Sequence, residues 1–193
     1  MPGPRSCARG APRRSGRDGG RPLTTLRKFA VPAVSALALT AIDQATKVWA
    51  VRNLPLYEPF DVLPGFFDLV HVRNTGVAFS LLSNLDHRWV HPVLILATLA
   101  AMAAVFAYIR YLPAKGVAPF ALGLIMGGAL GNLIDRMRLG YVVDFLDLHW
   151  RSHHWPTFNV ADIGISVGVV LLLIDMVVAP KEPGDAPRPA ADR

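Results

Sequence analysis

Residues 89–109 read WVHPVLILATLAAMAAVFAYI, without one acidic or basic Asp, Glu, Lys or Arg side chain. A membrane-spanning helix needs about 20 predominantly apolar residues, because each adds roughly 1.5 Å of rise against a hydrocarbon core about 30 Å thick. This stretch meets that need by itself, with His91 and Pro92 confined to its first turn. Three more stretches qualify. Residues 117–134, VAPFALGLIMGGALGNLI, are uncharged and stop at Asp135 and Arg136, while residues 160–179 carry Asp162 near their start and Asp175 near their end. Residues 29–51 are apolar as far as Ile42 and then admit Asp43 and Lys47, four apart, a spacing that lets the two pair on one helix face. Composition agrees: 193 residues, 52% hydrophobic and 18% charged, do not describe an ordinary soluble domain.

Charge orients the four crossings. Residues 1–28 hold eight Arg or Lys and one Asp, a net +7 against +6 for the whole chain, so the basic character belongs to the tail and not to a nucleic-acid surface. Basic residues beside short loops favour the cytoplasmic side. Together with Arg110 and Lys115 in the second connection and Lys181 after the last span, they put both termini in the cytoplasm. Residues 52–88 and 135–159 then lie on the far side. The Pro, Gly, Ser and Arg-rich tail, 1–28, is expected to be disordered and residues 180–193 to form a cytoplasmic C-terminal tail. A cleavable secretory signal fits poorly, since the apolar stretch runs on into AIDQATKVWAV without a small-x-small site. The single cysteine, Cys7, excludes an internal disulfide and a cysteine metal site.

Between the first two spans, FFDLVHVR at 66–73 has the period-2 pattern of a strand, Asn74-Thr75-Gly76 reads as a turn, and VAFSLL is expected to pair back as a second strand. The predicted fold is an all-α membrane protein of four transmembrane helices, 29–51, 89–109, 117–134 and 160–179. A small extracytoplasmic β-sheet is placed between the first two, within 52–88. In the third span, Gly123, Gly127 and Gly131, with Gly128 beside them, give a small-residue face for close helix packing.

The chemistry rests on carboxylates. Asp162 lies three residues after Asn159 at the head of the last span, where it completes a capping box and meets the positive end of the helix dipole. Asp144, in the Trp- and His-rich connection before it, is a second carboxylate at the same mouth of the bundle. A close pair of carboxylates does not ionise twice with ease, so one holds a proton while the other acts as a base. Such a pair hydrolyses an amide by activating water on one side and protonating the carbonyl oxygen and leaving amine on the other. Asp147 competes with Asp144 for the role, and spacing does not choose between them. Asp135 beside Arg136 reads as a structural ion pair or as part of the site, and Asp43 with Lys47 as a helix pair or a support of it. His149, His153 and His154 near these carboxylates raise the question of zinc, but no HExxH is present. Trp150 and Trp155 read as interfacial anchors. The alternative from a different class is a small proton-coupled transporter or channel with Asp43, Asp135 and Asp162 as a relay at several depths.

Five motifs in order, AIDQATK at 41–47, RNTGVAFS at 73–80, GGALGNLIDR at 127–136, GYVVDFLD at 140–147 and FNVADIGISVG at 158–168, resemble those of the lipoprotein signal peptidases, also called signal peptidase II. The resemblance spans residues 29 to about 179. It implies an aspartic endopeptidase with Asp144 and Asp162 as the catalytic dyad, leaving Asp147 outside it. Asn74, Asn132, Asp135, Arg136 and Asn159 are implied to bind substrate or order the site, and Asp43 with Lys47 to shape it. It further implies no cofactor and no metal, and a substrate that is a prolipoprotein bearing diacylglyceryl-cysteine, cut on the N-terminal side of that cysteine. Membrane lipids, globomycin-like inhibitors, a monomeric state and the bacterial inner membrane, with the site at its outer face, complete the expectation.

Overall fold

The computed structural model describes residues 21–76, 87–111 and 117–178. Four helices, α1 (Arg21–Asn53), α2 (His87–Ile109), α3 (Ala118–Leu139) and α4 (Val160–Val178), are joined by four strands, β1 (Phe60–Leu63), β2 (Phe67–Asn74), β3 (Val142–Trp150) and β4 (His153–His154). Each helix contains a segment long and apolar enough to cross a membrane, as the hydropathy predicts. Helix α1 runs from Arg21 to Asn53, so residues 21–28, read as part of a disordered tail, are helical and precede the span, which begins at Phe29 as the sequence reading has it. Pro22 falls in its first turn, where a missing N–H breaks no intrahelical bond.

Helix α3 is the one on which the others pack, and its buried face is made of small residues. A methyl group on Gly127 would stand 2.5 Å from the carbonyl oxygen of Ala36 on α1, and one on Gly128 would collide with the carbonyl of Ala161 on α4. Adjacent glycines thus turn two faces of one helix into contact surfaces, which is the close approach that the small-residue spacing predicts. Helix α2 is mostly exposed, with an apolar surface suited to lipid.

The sheet departs from the prediction in its make-up. It has four antiparallel strands in the order β1-β2-β3-β4, and only β1 and β2 come from the connection between α1 and α2. The other two come from the connection between α3 and α4, which the sequence reading leaves as a loop. Strand β3, VVDFLDLHW, is buried along its first four residues, so it lacks the alternation that marks a strand with one wet face. FFDLVHVR does form a strand, β2, whereas VAFSLL lies outside the described residues. The sheet is fixed to the bundle by Phe145 of β3, which packs with Ala50 and Leu54 at the end of α1 and with Val160 at the start of α4.

Candidate active site

Two local devices bring Asp144 and Asp162 to one place. The first is a clamp between β3 and the segment before α4: the backbone N–H groups of Phe145 and Leu146 donate to the Phe158 carbonyl at 3.1 and 2.9 Å, and the Phe158 N–H returns a bond to Leu146 at 3.0 Å. The second is a reciprocal cap on α4. The Asp162 N–H donates to Asn159 Oδ1 at 3.1 Å, while the Asn159 N–H donates to Asp162 Oδ2 at 3.2 Å. The helix-cap reading of Asp162 is therefore correct as geometry, and the same cap uses only one of its two oxygens.

Asparagine side chains connect the two carboxylates. Asn159 Nδ2 donates to Asp144 Oδ1 at 2.6 Å and Asn74 Nδ2 to Asp144 Oδ2 at 2.8 Å, while Asn132 Nδ2 donates to Asp162 Oδ1 at 2.9 Å. Asn159 Nδ2 also reaches Asn132 Oδ1 at 3.2 Å. Asn74 is aimed by the predicted turn: its Oδ1 accepts the Gly76 N–H at 2.8 Å, and Gly76 has the left-handed φ of 90° that favours glycine. In the β2–β3 register Val72 stands opposite Asp144, so Asn74 overhangs it from two residues along.

Behind the asparagines lies a buried ionic group. Lys47 Nζ contacts Asp43 Oδ2 at 2.9 Å and Asp135 Oδ2 at 3.0 Å, and donates to Asn132 Oδ1 at 2.8 Å. Asp43 Oδ1 accepts the Ala161 N–H at 2.9 Å, so it helps hold the start of α4. Asp135 Oδ2 accepts the Val143 N–H at 3.1 Å, so it helps hold β3 next to Asp144. The pairings expected of Asp43 with Lys47 and of Asp135 are thus joined into one group, with Lys47 and not Arg136 as the partner of Asp135. Gln44, quoted in AIDQATK but given no role there, bridges the Gly131 carbonyl and Asp135 Oδ1 at 3.2 and 3.0 Å. Its position beside Asp43 in the motif was the available signal. Gly131 leaves the space that the Asp43 carboxylate fills.

The Asp144 carboxyl is almost fully buried, and burial above all, then the nearby Asp162 charge, pushes its pKa up to about 6, against the bonds from Asn74 and Asn159. Asp162 opens onto a cavity of about 710 Å3 whose walls include Asn74, Arg136, Leu148, Phe158, Ile163 and Val167. Arg136 is close enough for the charges of Asp162, Asp144 and Asp135 to act on it. Trp155, Pro156 and Thr157, read only as an interfacial segment, form another wall of this cavity.

Asp147 belongs to a different cluster. Its Oδ2 meets His154 Nδ1 at 2.8 Å, it stands opposite Asp68 in the β2–β3 register, and His149 Nε2 lies 3.2 Å from Asp68 Oδ2. Among the described residues no three His, Cys, Asp or Glu side chains are arranged to hold a metal ion. The ionisable groups proposed for a relay, Asp43, Asp135 and Asp162, are joined through Lys47 and Asn132 into one network.

The family model described as Signal peptidase (SPase) II matches residues 35–178. The chain is 52% identical over 145 residues to a lipoprotein signal peptidase of Geobacter metallireducens, covering 75% of this chain and 88% of that one. It is 47% identical over 149 residues to one of Syntrophotalea carbinolica, covering 77% and 92%. A solved bacterial membrane enzyme, determined by the in meso method at 1.9 Å, superposes with a TM-score of 0.68 at 28% identity, over 79% of this chain and 96% of the other. On the match over most of its length, and on the identity to relatives it nearly spans, this chain belongs to the signal peptidase II family.

Proposed function

We propose that the protein is an intramembrane aspartic endopeptidase that removes signal peptides from bacterial prolipoproteins, with Asp144 and Asp162 as its catalytic dyad. The observation that carries the reading is the Asn159 bridge, which ties a buried Asp144, its pKa pushed up to about 6, to an Asp162 open to a largely apolar cavity.

Asp162 receives an amide N–H on one oxygen and a backbone N–H at the start of α4 on the other, so both oxygens are held in place facing the cavity. It takes a proton from water as the water oxygen attacks the scissile carbonyl carbon. Asp144 gives its proton to the carbonyl oxygen, forming a neutral gem-diol. Collapse of that diol breaks the C–N bond, with one proton passing to the leaving nitrogen and one returning to the dyad. Neutral asparagines suit this exchange, since they hold the carboxyls in place without supplying a full charge that would keep both ionised. Two full positive charges act beside them: Lys47, paired with Asp43 and Asp135 and joined to Asp162 through Asn132, and Arg136 in the cavity wall, which feels both Asp162 and Asp144.

The substrate in this reading is a prolipoprotein whose cysteine carries a diacylglyceryl group, cut on its N-terminal side. Leu148, Phe158, Ile163 and Val167 would meet its apolar parts, while Arg136 and Asn74 would meet the peptide backbone. Both termini are cytoplasmic, the sheet and the dyad lie at the outer face of the inner membrane, and a monomer contains the whole site. A globomycin-like lipopeptide would compete for the same cavity.

The test is gel-shift cleavage of a diacylglyceryl-modified prolipoprotein by purified protein. Asp144→Asn and Asp162→Asn are expected to lose at least about a thousand-fold in rate, as removal of a general acid or base does. Asp147→Asn, and wild type treated with a chelator, are expected to cut within a few-fold of normal. Normal cutting by either dyad variant would overturn the assignment.

A further inference from the structure

A second cleft, of about 170 Å3, opens on the opposite side of Lys47 from the asparagines, between α1 and α3. Its floor is the Lys47–Asp135 pair with Gln44, all of whose charges and amide protons are already engaged. Its walls are Val48, Val51 and Leu139, apolar and exposed on spanning helices, where the acyl chains of a bilayer would lie against them. At its rim are Arg52, in the last turn of α1, and Arg138, in the last turn of α3. Both are exposed, and neither has an acidic or aromatic partner among the described residues.

Two arginines without such a partner among the described residues, placed at this end, run against the usual charge bias. On the topology proposed above, the ends of α1 and α3 that reach the sheet are at the outer face, where basic residues are not favoured by orientation. Arg136, the third arginine here, is accounted for by its place in the catalytic cavity. Arg52 and Arg138 lie outside that cavity and take no part in the network around the dyad. Their guanidinium groups are suited to a phosphodiester, which each grips through two N–H donors. The apolar walls below them suit the glycerol ester and first methylenes of the same molecule.

We propose that the α1–α3 cleft binds an anionic membrane phospholipid, with its phosphate between Arg52 and Arg138 and its glyceryl end on Val48, Val51 and Leu139. The source is the bilayer and not a free anion, because the cleft pairs its positive rim with exposed apolar walls at the level where headgroup and acyl chain meet. The lipid would sit against the outside of the Lys47–Asp135 pair, so it fastens the ends of α1 and α3 that hold up the asparagine network.

Native mass spectrometry of the delipidated full chain in detergent, titrated with dioleoylphosphatidylglycerol, tests this directly. Parallel titrations use dioleoylphosphatidylcholine, dioleoylglycerol and inorganic phosphate, and lipid-free melting confirms that each variant folds. One tight phosphatidylglycerol is expected, weakened on the order of five-fold by Arg52→Gln or Arg138→Gln and about twenty-fold by the pair, whereas Arg151→Gln changes nothing. Phosphatidylcholine and dioleoylglycerol are expected to bind no better to wild type than to the double variant. Undiminished phosphatidylglycerol binding by a folded double variant would overturn the proposal. So would equal affinity for phosphatidylcholine, or saturation of the site by inorganic phosphate alone.

Discussion

The molecule carries two pairs of buried or half-buried aspartates, each with one member on β3, and the two pairs have different partners. Asp144 and Asp162 are held by amides: Asn74, Asn159 and Asn132. Asp68 and Asp147 are held by imidazoles, His149 and His154, whose rings stack at 4.7 Å. An amide has no charge to give, so burial outweighs the two asparagine bonds and pushes the Asp144 pKa up to about 6. An imidazole takes up a proton itself and turns its carboxylate into half of an ion pair. His149 shows the consequence: the Arg151 carbonyl first, and the Asp68 and Asp147 charges after it, hold its pKa above the usual histidine value despite the opposing effect of burial. The first pair is the one proposed to exchange a proton, and its Asp162 lines the cavity. The second is arranged to close the sheet, and neither of its aspartates lines that cavity.

The sharpest way to break this contrast is to remove an amide. Asn159→Ala deletes the bonds to Asp144 and Asn132 and one half of the α4 cap, and is expected to lower kcat by about a hundred-fold while the protein stays folded. Single-turnover cleavage together with thermal melting checks it. An effect confined to stability would put Asn159 on the structural side.

Acid–base behaviour gives a smaller, sharper signal. With Asp144 raised to about 6 in the free enzyme, the singly protonated dyad loses its proton as pH rises through that value, so kcat/KM is expected to fall above about pH 6. The bond from Asn74 stabilises the ionised form, so Asn74→Ala should move this limb to higher pH. For folding, the sign runs the same way: a carboxyl with a raised folded pKa contributes most stability below its unfolded value of 3.8 and loses it as pH climbs to about 6. A limb that does not move in Asn74→Ala would show that Asp144 is not the group being titrated.

The smallest effect is expected in the sheet. His154→Ala leaves Asp147 without its imidazole partner, but His154 is half exposed, and water replaces much of the bond. The expected loss is about 1 kcal/mol in thermal or denaturant unfolding, with cleavage within a few-fold of wild type. The raised pKa of His149 adds a direction: its contribution is complete below pH 6.5 and disappears as pH rises past its folded value. A large loss of cleavage in His154→Ala would instead tie this pair to the Trp155–Phe158 wall of the cavity.

How much of this was legible in the chain follows from the range of each interaction. Hydropathy over about 20 residues is a local sum, so residues 89–109 announced a span, and the glycine spacing announced a tight interface. Asn159 and Asp162 are three residues apart, and their reciprocal cap needed nothing distant. The turn at Asn74 was equally local. The carboxylate types at one mouth were readable too, and the motif resemblance chose among them where spacing did not.

The tertiary structure decided what depends on long-range pairing. Strand β3 joins β2 from another connection, and its double-sided burial erased the alternation that would have revealed it. Asp144 and Asp147 are three residues apart in sequence, yet one meets asparagines from β2 and from the residue before α4 while the other meets a histidine of β4. Lys47 finds Asp135 across 88 positions and Gln44 reaches the same carboxylate across 91. Sequence fixes which groups a residue has to offer, but the environment that sets its proton affinity comes from segments folded in from elsewhere.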